Sequence, residues 1–225
     1  MIFEQGNLYH IFNQGNNRQR IFFSRANYLF FIEKIKRHVL PYADVLAWCL
    51  MPNHFHLMAY VNEVELVLPT QGLTRNQSAN SQALSRQEYS QGLTIRSVNT
   101  SQPLTTTLNS SIGIMLRSYT RAINIQENRS GALFRQQTKA RCLTCNDKIN
   151  CSWFTSQGAT RINMQHAEDQ YPNKCFNYIN FNPVKDGLVK QCEDWEFSSY
   201  PDIVGLRIGK LINRARIEEF GLVLL

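Results

Sequence analysis

Hydrophobic and polar positions change rhythm several times along the 225-residue chain. Residues 7–14, NLYHIFNQ, mix aromatic and β-branched side chains and predict a strand, and the following GNN predicts a turn. From Ala26 to about Leu40, the residues Leu29, Phe30, Ile32, Ile35 and Val39 recur at helical spacing, and Pro41 ends the run. ADVLAWCL (43–50) is an almost unbroken apolar strand, Pro52-Asn53 a turn, and HFHLMAYV (54–61) a second strand, so this stretch predicts a hairpin.

The period then disappears. Residues from about 68 to 109 are rich in Gln, Ser, Thr and Asn and predict a long surface insertion with at most one short helix. It returns with Ile112, Met115, Leu116, Tyr119 and Ile123, a helix that fades near Asn128, before Gly131. ALFRQQTKARCL (132–143) predicts a further strand carrying basic residues. After a second polar stretch (144–170), KCFNYINF predicts a helix that stops at Asn182-Pro183. The order β–α–β–β–insert–α–β predicts an α+β fold: a ferredoxin-like (RRM-like) antiparallel sheet with helices packed on one face, plus a helical C-terminal extension. Residues 1–145 are then one domain with the polar insertion, and 146–225 an extension packed on the same domain.

Composition narrows the partners. Lys plus Arg is 24 against 17 Asp plus Glu, a formal charge of +7. That excess points to polyanions, nucleic acid first. No window holds eighteen consecutive apolar residues, and MIFEQGN lacks the basic and apolar regions of a secretory signal, so the expectation is a cytoplasmic protein with no membrane partner. Six Cys are few for a disulfide scaffold and predict reduced thiols.

The sharpest chemical feature is His54-Phe55-His56. On a strand, alternation sends both imidazoles to one face, with Cα atoms roughly 7 Å apart, and Phe55 to the other. Two neighbouring imidazoles suit a divalent metal; the plainer alternative is a packed or surface pair. Tyr119 lies on the apolar stripe of its helix, where an aromatic is ordinarily core. Its alternative role is a nucleophile on phosphorus, with Arg117 and Arg121 beside it to steer a phosphate. Arg18, Arg20, Arg135, Lys139 and Arg141 are candidates for a phosphate groove, while Phe22 and Trp48 either stack on bases or, more simply, pack in the core. His10 either contacts the site or is a paired strand residue. Cys142, Cys145 and Cys151, with His166 or Cys175, lack the spacing of a zinc ribbon, and free thiols are the simpler reading.

Several motifs in order resemble a known family. YHIFNQGNNRQRIFF, LMPNHFHL, a helical Tyr about sixty residues later, RSGALFRQQTKA, YINFNPVKDGLV and WEFSSY look like the IS200-type tyrosine transposases, most of all the branch associated with repetitive extragenic palindromes (REP). The resemblance covers roughly residues 7–62 and 110–205. It implies a histidine–hydrophobic–histidine (HUH) single-strand endonuclease and transposase. His54 and His56 would hold Mg²⁺ or Mn²⁺, and Tyr119 would attack a DNA phosphate near a hairpin. That would leave a 5′-phosphotyrosine link and a free 3′-hydroxyl. Relatives often place a third metal ligand one turn after the tyrosine. Here that position is Ile123, so Asn124 or Gln126 is the candidate. Asn180 stands where the family commonly has His. The implied partner is single-stranded or hairpin DNA, bound by a monomer in preference to a homodimer. Two other classes share the charge and the fold: a catalytically silent hairpin-binding protein, and a metal phosphodiesterase that uses water.

Overall fold

The computed structural model describes residues 1–67, 104–145, 153–156, 159–162 and 167–225. Its centre is a four-stranded antiparallel sheet built from β1 (Leu8–Gln14), β2 (Ala43–Met51), β3 (His54–Val61) and β6 (Lys139–Cys142), in the spatial order β2-β3-β1-β6. Helix α1 (Arg25–His38) connects β1 to β2, and α2 (Leu108–Gln126) precedes β6, so the split βαβ order expected from the sequence is the one observed. The hairpin turns at Pro52-Asn53, with Met51 opposite His54.

Alternation divides β3 between two cores. Phe55, Leu57, Ala59 and Val61 join Phe31, Ile35, Ile112, Met115 and Tyr119 beneath α1 and α2. Met58 and its neighbours Leu46, Ala47, Cys49 and Met51 join Phe176 and Ile179 beneath α3 (Ala167–Lys185). Helices α1 and α2 therefore cover one face, as expected, and the C-terminal extension covers the other. With both faces buried, β2 loses the polar alternation of a half-exposed strand and reads as a nearly continuous apolar run.

Helix α1 starts where the Asn27 side chain reaches back to accept from the Ser24 backbone N–H at 3.1 Å, half of a capping box. Helix α3 does not stop at Asn182-Pro183. It runs on to Lys185 and ends in a Schellman turn, with Leu188 N–H donating to the Pro183 carbonyl (2.9 Å) and Gly187 N–H to that of Val184 (3.0 Å). Gly187 takes φ +70°, so glycine supplies the stop. Pro183 removes one backbone donor from the last turn without ending the helix.

The polar insertion ends earlier than its composition suggests. Thr105–Thr107 forms β5, paired with β4 (Glu65–Val67), and α2 begins at Leu108 under a Thr107 cap; residues 68–103 lie outside the described residues. A ribbon of β7 (Trp153–Ser156) and β8 (Ala159–Ile162) occupies part of the second polar stretch. Short helices α4 (Tyr200–Ile203) and α5 (Arg214–Glu219) close the tail.

The tail is anchored on the sheet through WEFSSY. Trp195 Nε1 donates to the Leu50 carbonyl, and Phe197 stacks on Tyr28 at 3.9 Å. Asn180, fully buried, accepts from Ser199 Oγ at 2.8 Å and donates to the Phe176 carbonyl. The residue standing where His is common is thus a tie between α3 and the tail. Trp48 and Phe22 are core residues. Cys142 and Cys145 are joined as a disulfide, contrary to the expectation of reduced thiols, while Cys49, Cys175 and Cys192 are free. That bond consumes two thiols of the candidate zinc set, and Cys151 and His166 lie outside the described residues.

Candidate active site

His54 and His56 occupy the face of β3 turned toward α3, ring centroids 5.0 Å apart. Register fixes their surroundings: His54 pairs with Gln14, and His56 lies between Phe12 on β1 and Cys49 on β2. They line a cleft of about 320 Å³, together with Phe12, Arg135, Lys139, Tyr178, Asn182, Lys185 and Asp186. Each imidazole is oriented through Nδ1. His54 Nδ1 lies 2.6 Å from Asn53 Oδ1, and His56 Nδ1 lies 2.9 Å from His10 Nε2.

Burial holds both rings neutral. It lowers His54, with partial offset from the Asp186 carboxylate and the Asn182 carboxamide. It lowers His56 well below the usual histidine value, and the neighbouring His10 and His54 add to the effect. A neutral imidazole keeps the lone pair that a metal requires.

Tyr119 does not reach this cleft. It sits on the opposite face of the sheet, fully buried, with its ring 4.8 Å from Phe31 and close to Phe22, Phe30 and Phe134. Its hydroxyl donates to the Ile21 carbonyl at 2.8 Å, and desolvation pushes its pKa far up. The expected meeting of Tyr119 with the imidazoles is therefore corrected: a stripe aromatic on α2 faces the α1 core. The expected third ligands move with it. Asn124 donates to the Gly131 carbonyl, and Gln126 accepts from Asn27 at 2.8 Å, so both tie the end of α2 to its own side of the sheet.

A different tyrosine stands at the cleft. Tyr178 presents its ring edge-on to His56, centroids 5.3 Å apart, and is 41% exposed. Tyr178, Asn182 and Lys185 follow at i, i+4 and i+7 on α3, one helical stripe. Asn182 is 2% exposed, and its Oδ1 has no hydrogen-bond partner, nor has the buried Nε2 of His56. Two buried polar atoms without hydrogen-bond partners in one cleft are costly unless something binds them. Among the described residues no set of three His, Cys, Asp or Glu could hold a metal. Two imidazoles and a carboxamide oxygen are nevertheless donors that a divalent transition ion such as Mn²⁺ accepts more readily than the oxygen-preferring Mg²⁺. Burial raises Tyr178, the Asn182 carboxamide opposes that rise, and Lys185 Nζ lies 5.4 Å from the ring centroid.

The basic residues separate by place. Exposed Arg135 and Lys139 line the cleft. Lys139 also borders a neighbouring cleft of about 900 Å³, where Arg117 and Arg141 join it. Arg141 donates to the Tyr171 hydroxyl on α3. Arg18, Arg20 and Arg121 are exposed but line neither cleft.

The fold has a solved counterpart. It is shared with a REP-associated tyrosine transposase bound to a REP hairpin, with TM-score 0.50, 15% identity, and 91% of this chain and 83% of that chain covered. No family model and no curated protein matches the sequence. Among the described residues no helix is long and apolar enough to cross a membrane. Tyr178 and Asn182 did have a sequence signal, the Y-x3-N spacing within YINFNPV, which an unbroken helix places on one face.

Proposed function

We propose that the protein is a metal-dependent single-stranded DNA endonuclease and strand transferase of the tyrosine transposase kind, with Tyr178 as nucleophile and His54, His56 and Asn182 as metal ligands. The observation that carries this reading is the convergence of Tyr178, His56 Nε2 and Asn182 Oδ1 on one cleft, the last two buried without partners. The transposase-like fold and the +7 charge support DNA as the partner.

The Tyr178 hydroxyl attacks the scissile phosphorus, its proton passing to solvent, and the phosphodiester to the 3′-oxygen breaks. The products are a 5′-phosphotyrosine link and a free 3′-hydroxyl, and attack by another 3′-hydroxyl reverses the step. One phosphodiester is exchanged for another, so no nucleotide cofactor is needed. His54, His56 and Asn182 would hold a divalent cation, which when bound would supply Lewis-acid polarisation of the phosphate. Lys185, with its Nζ 5.4 Å from the Tyr178 ring centroid, would stabilise the phenolate, and Arg135 and Lys139, which line the cleft, would hold flanking phosphates.

The test is covalent trapping. A labelled hairpin oligonucleotide with a single-stranded flank, incubated with Mn²⁺, is expected to leave an SDS-resistant adduct whose DNA-linked peptide contains Tyr178. Cleavage without adduct would move the reading to water as nucleophile. Tight hairpin binding without cleavage would move it to a silent binder.

A further inference from the structure

We infer that His10 is a positioning residue that fixes the tautomer of His56 and so aims the His56 Nε2 lone pair into the cleft. This inference rests on the metal-site reading above. His10 is on β1 and His56 on β3, diagonal neighbours across an antiparallel pair in which His10 stands opposite Met58 and His56 opposite Phe12. Their nitrogens lie 2.9 Å apart and both rings are buried.

An N···N contact at that distance holds one proton between two neutral rings. If the proton belongs to His10 Nε2, His56 Nδ1 accepts it. His56 then carries its own proton at Nε2, a buried N–H with no partner and no lone pair for a cation. If the proton belongs to His56 Nδ1, Nε2 is a free lone pair directed at the cleft that also holds Asn182 Oδ1. Only the second arrangement makes His56 a ligand, and it requires His10 Nε2 to be an acceptor. A free histidine prefers the proton on Nε2, so the ligand-competent form requires both His10 and His56 to carry their protons on Nδ1.

The His10 ring is itself held in place. It stacks on Phe12 at 4.6 Å and meets the edge of Tyr178 at 6.1 Å, which leaves little freedom to turn away. Asn53 Oδ1 acts similarly on His54 Nδ1, so the two ligands are oriented by two different acceptors, a carboxamide and an imidazole.

The experiment is long-range ¹H–¹⁵N NMR on ¹⁵N-histidine-labelled, metal-free protein, paired with Mn²⁺ titration calorimetry. Wild-type His56 is expected to carry its proton on Nδ1. His10→Phe keeps the ring volume but removes the acceptor. It should move that proton to Nε2 and weaken Mn²⁺ binding by about 10–100-fold. His10→Gln, whose carboxamide oxygen reaches about as far as Nε2, should restore the tautomer and most of the affinity. A wild-type His56 protonated at Nε2 would overturn the proposal, as would a His10→Phe variant that keeps both tautomer and affinity. A wild-type protein that binds no Mn²⁺ would overturn the metal reading together with it.

Discussion

Tyr178 and Tyr119 lie on opposite faces of the same sheet: the first is edge-on to His56 at 5.3 Å, the second has its hydroxyl fixed on the Ile21 carbonyl. Only the exposed phenol can approach a DNA strand without unpacking the core. Tyr178→Phe is therefore expected to abolish the covalent adduct while leaving hairpin affinity within about twofold. Tyr119→Phe is expected to keep the adduct. It should cost roughly 1–3 kcal/mol of stability, because the buried Ile21 carbonyl loses its donor. Adduct gels and urea denaturation of both variants decide the matter; an adduct lost in Tyr119→Phe and kept in Tyr178→Phe would reverse the assignment.

The difference between the two tyrosines shows where periodicity stops being informative. Period-two alternation placed His54 and His56 together and Phe55 opposite, and β3 has that arrangement. Period 3.6 identifies the buried stripe of α2 but does not say which face of a sheet that stripe covers. The resemblance, with a helical tyrosine about sixty residues after the histidine pair and two arginines beside it, made a core aromatic look catalytic. On α3 the reverse held: Pro183 reads as a helix stop and hides the Tyr178–Asn182 pair, because a proline in a last turn looks in sequence like one that ends a helix. His10 was legible as a strand histidine that either contacts the site or is simply paired; its bond to His56 was not, since that depends on register between strands more than forty residues apart.

Asn182 offers the test of the metal site that leaves the nucleophile untouched. Its buried carboxamide acts on both His54 and Tyr178, so urea denaturation of Asn182→Ala accompanies the binding measurement. The variant is expected to bind Mn²⁺ about 10–100-fold more weakly in calorimetry, the usual scale for loss of a coordinating or supporting group. Asn182→Asp, which adds a charge to the same donor position, should bind at least as tightly as wild type. Equal affinity in Asn182→Ala and wild type would remove the carboxamide from the ligand set.

The histidine cluster makes the metal-free fold sensitive to acid. Burial pushes His10 down to about 4, with the Arg141 cation adding to the effect. An unfolded histidine titrates near 6.5. A folded-state value below the unfolded one means that the unfolded chain binds the extra proton first. The stabilisation is then fully present above about pH 6.5 and is lost as pH falls toward 4. For His10 alone the loss by pH 5 is about 2 kcal/mol, and His56 adds in the same direction. Urea denaturation with EDTA at pH 7.5 and pH 5 should show the drop, and His10→Phe should reduce it. A stability that rises on acidification would contradict the buried, neutral imidazoles.

Charge placement separates the two groups of basic residues by salt dependence. Lys139 borders both clefts, with its Nζ 5.9 Å from the Phe12 ring centroid, whereas Arg121 lines neither. A cation that neutralises one phosphate contributes roughly 0.7–0.9 to the slope of log affinity against log salt. Lys139→Gln is expected to lower affinity for the hairpin at low salt and flatten that slope by about this amount, independently of sequence. Arg121→Gln should leave both unchanged. Fluorescence anisotropy from 50 to 300 mM salt, roughly the range over which phosphate contacts dominate, measures both quantities. Equal slopes for Lys139→Gln and wild type would take the strand out of the trough beside β6. A loss confined to Arg121→Gln would put it on the outer surface of α2.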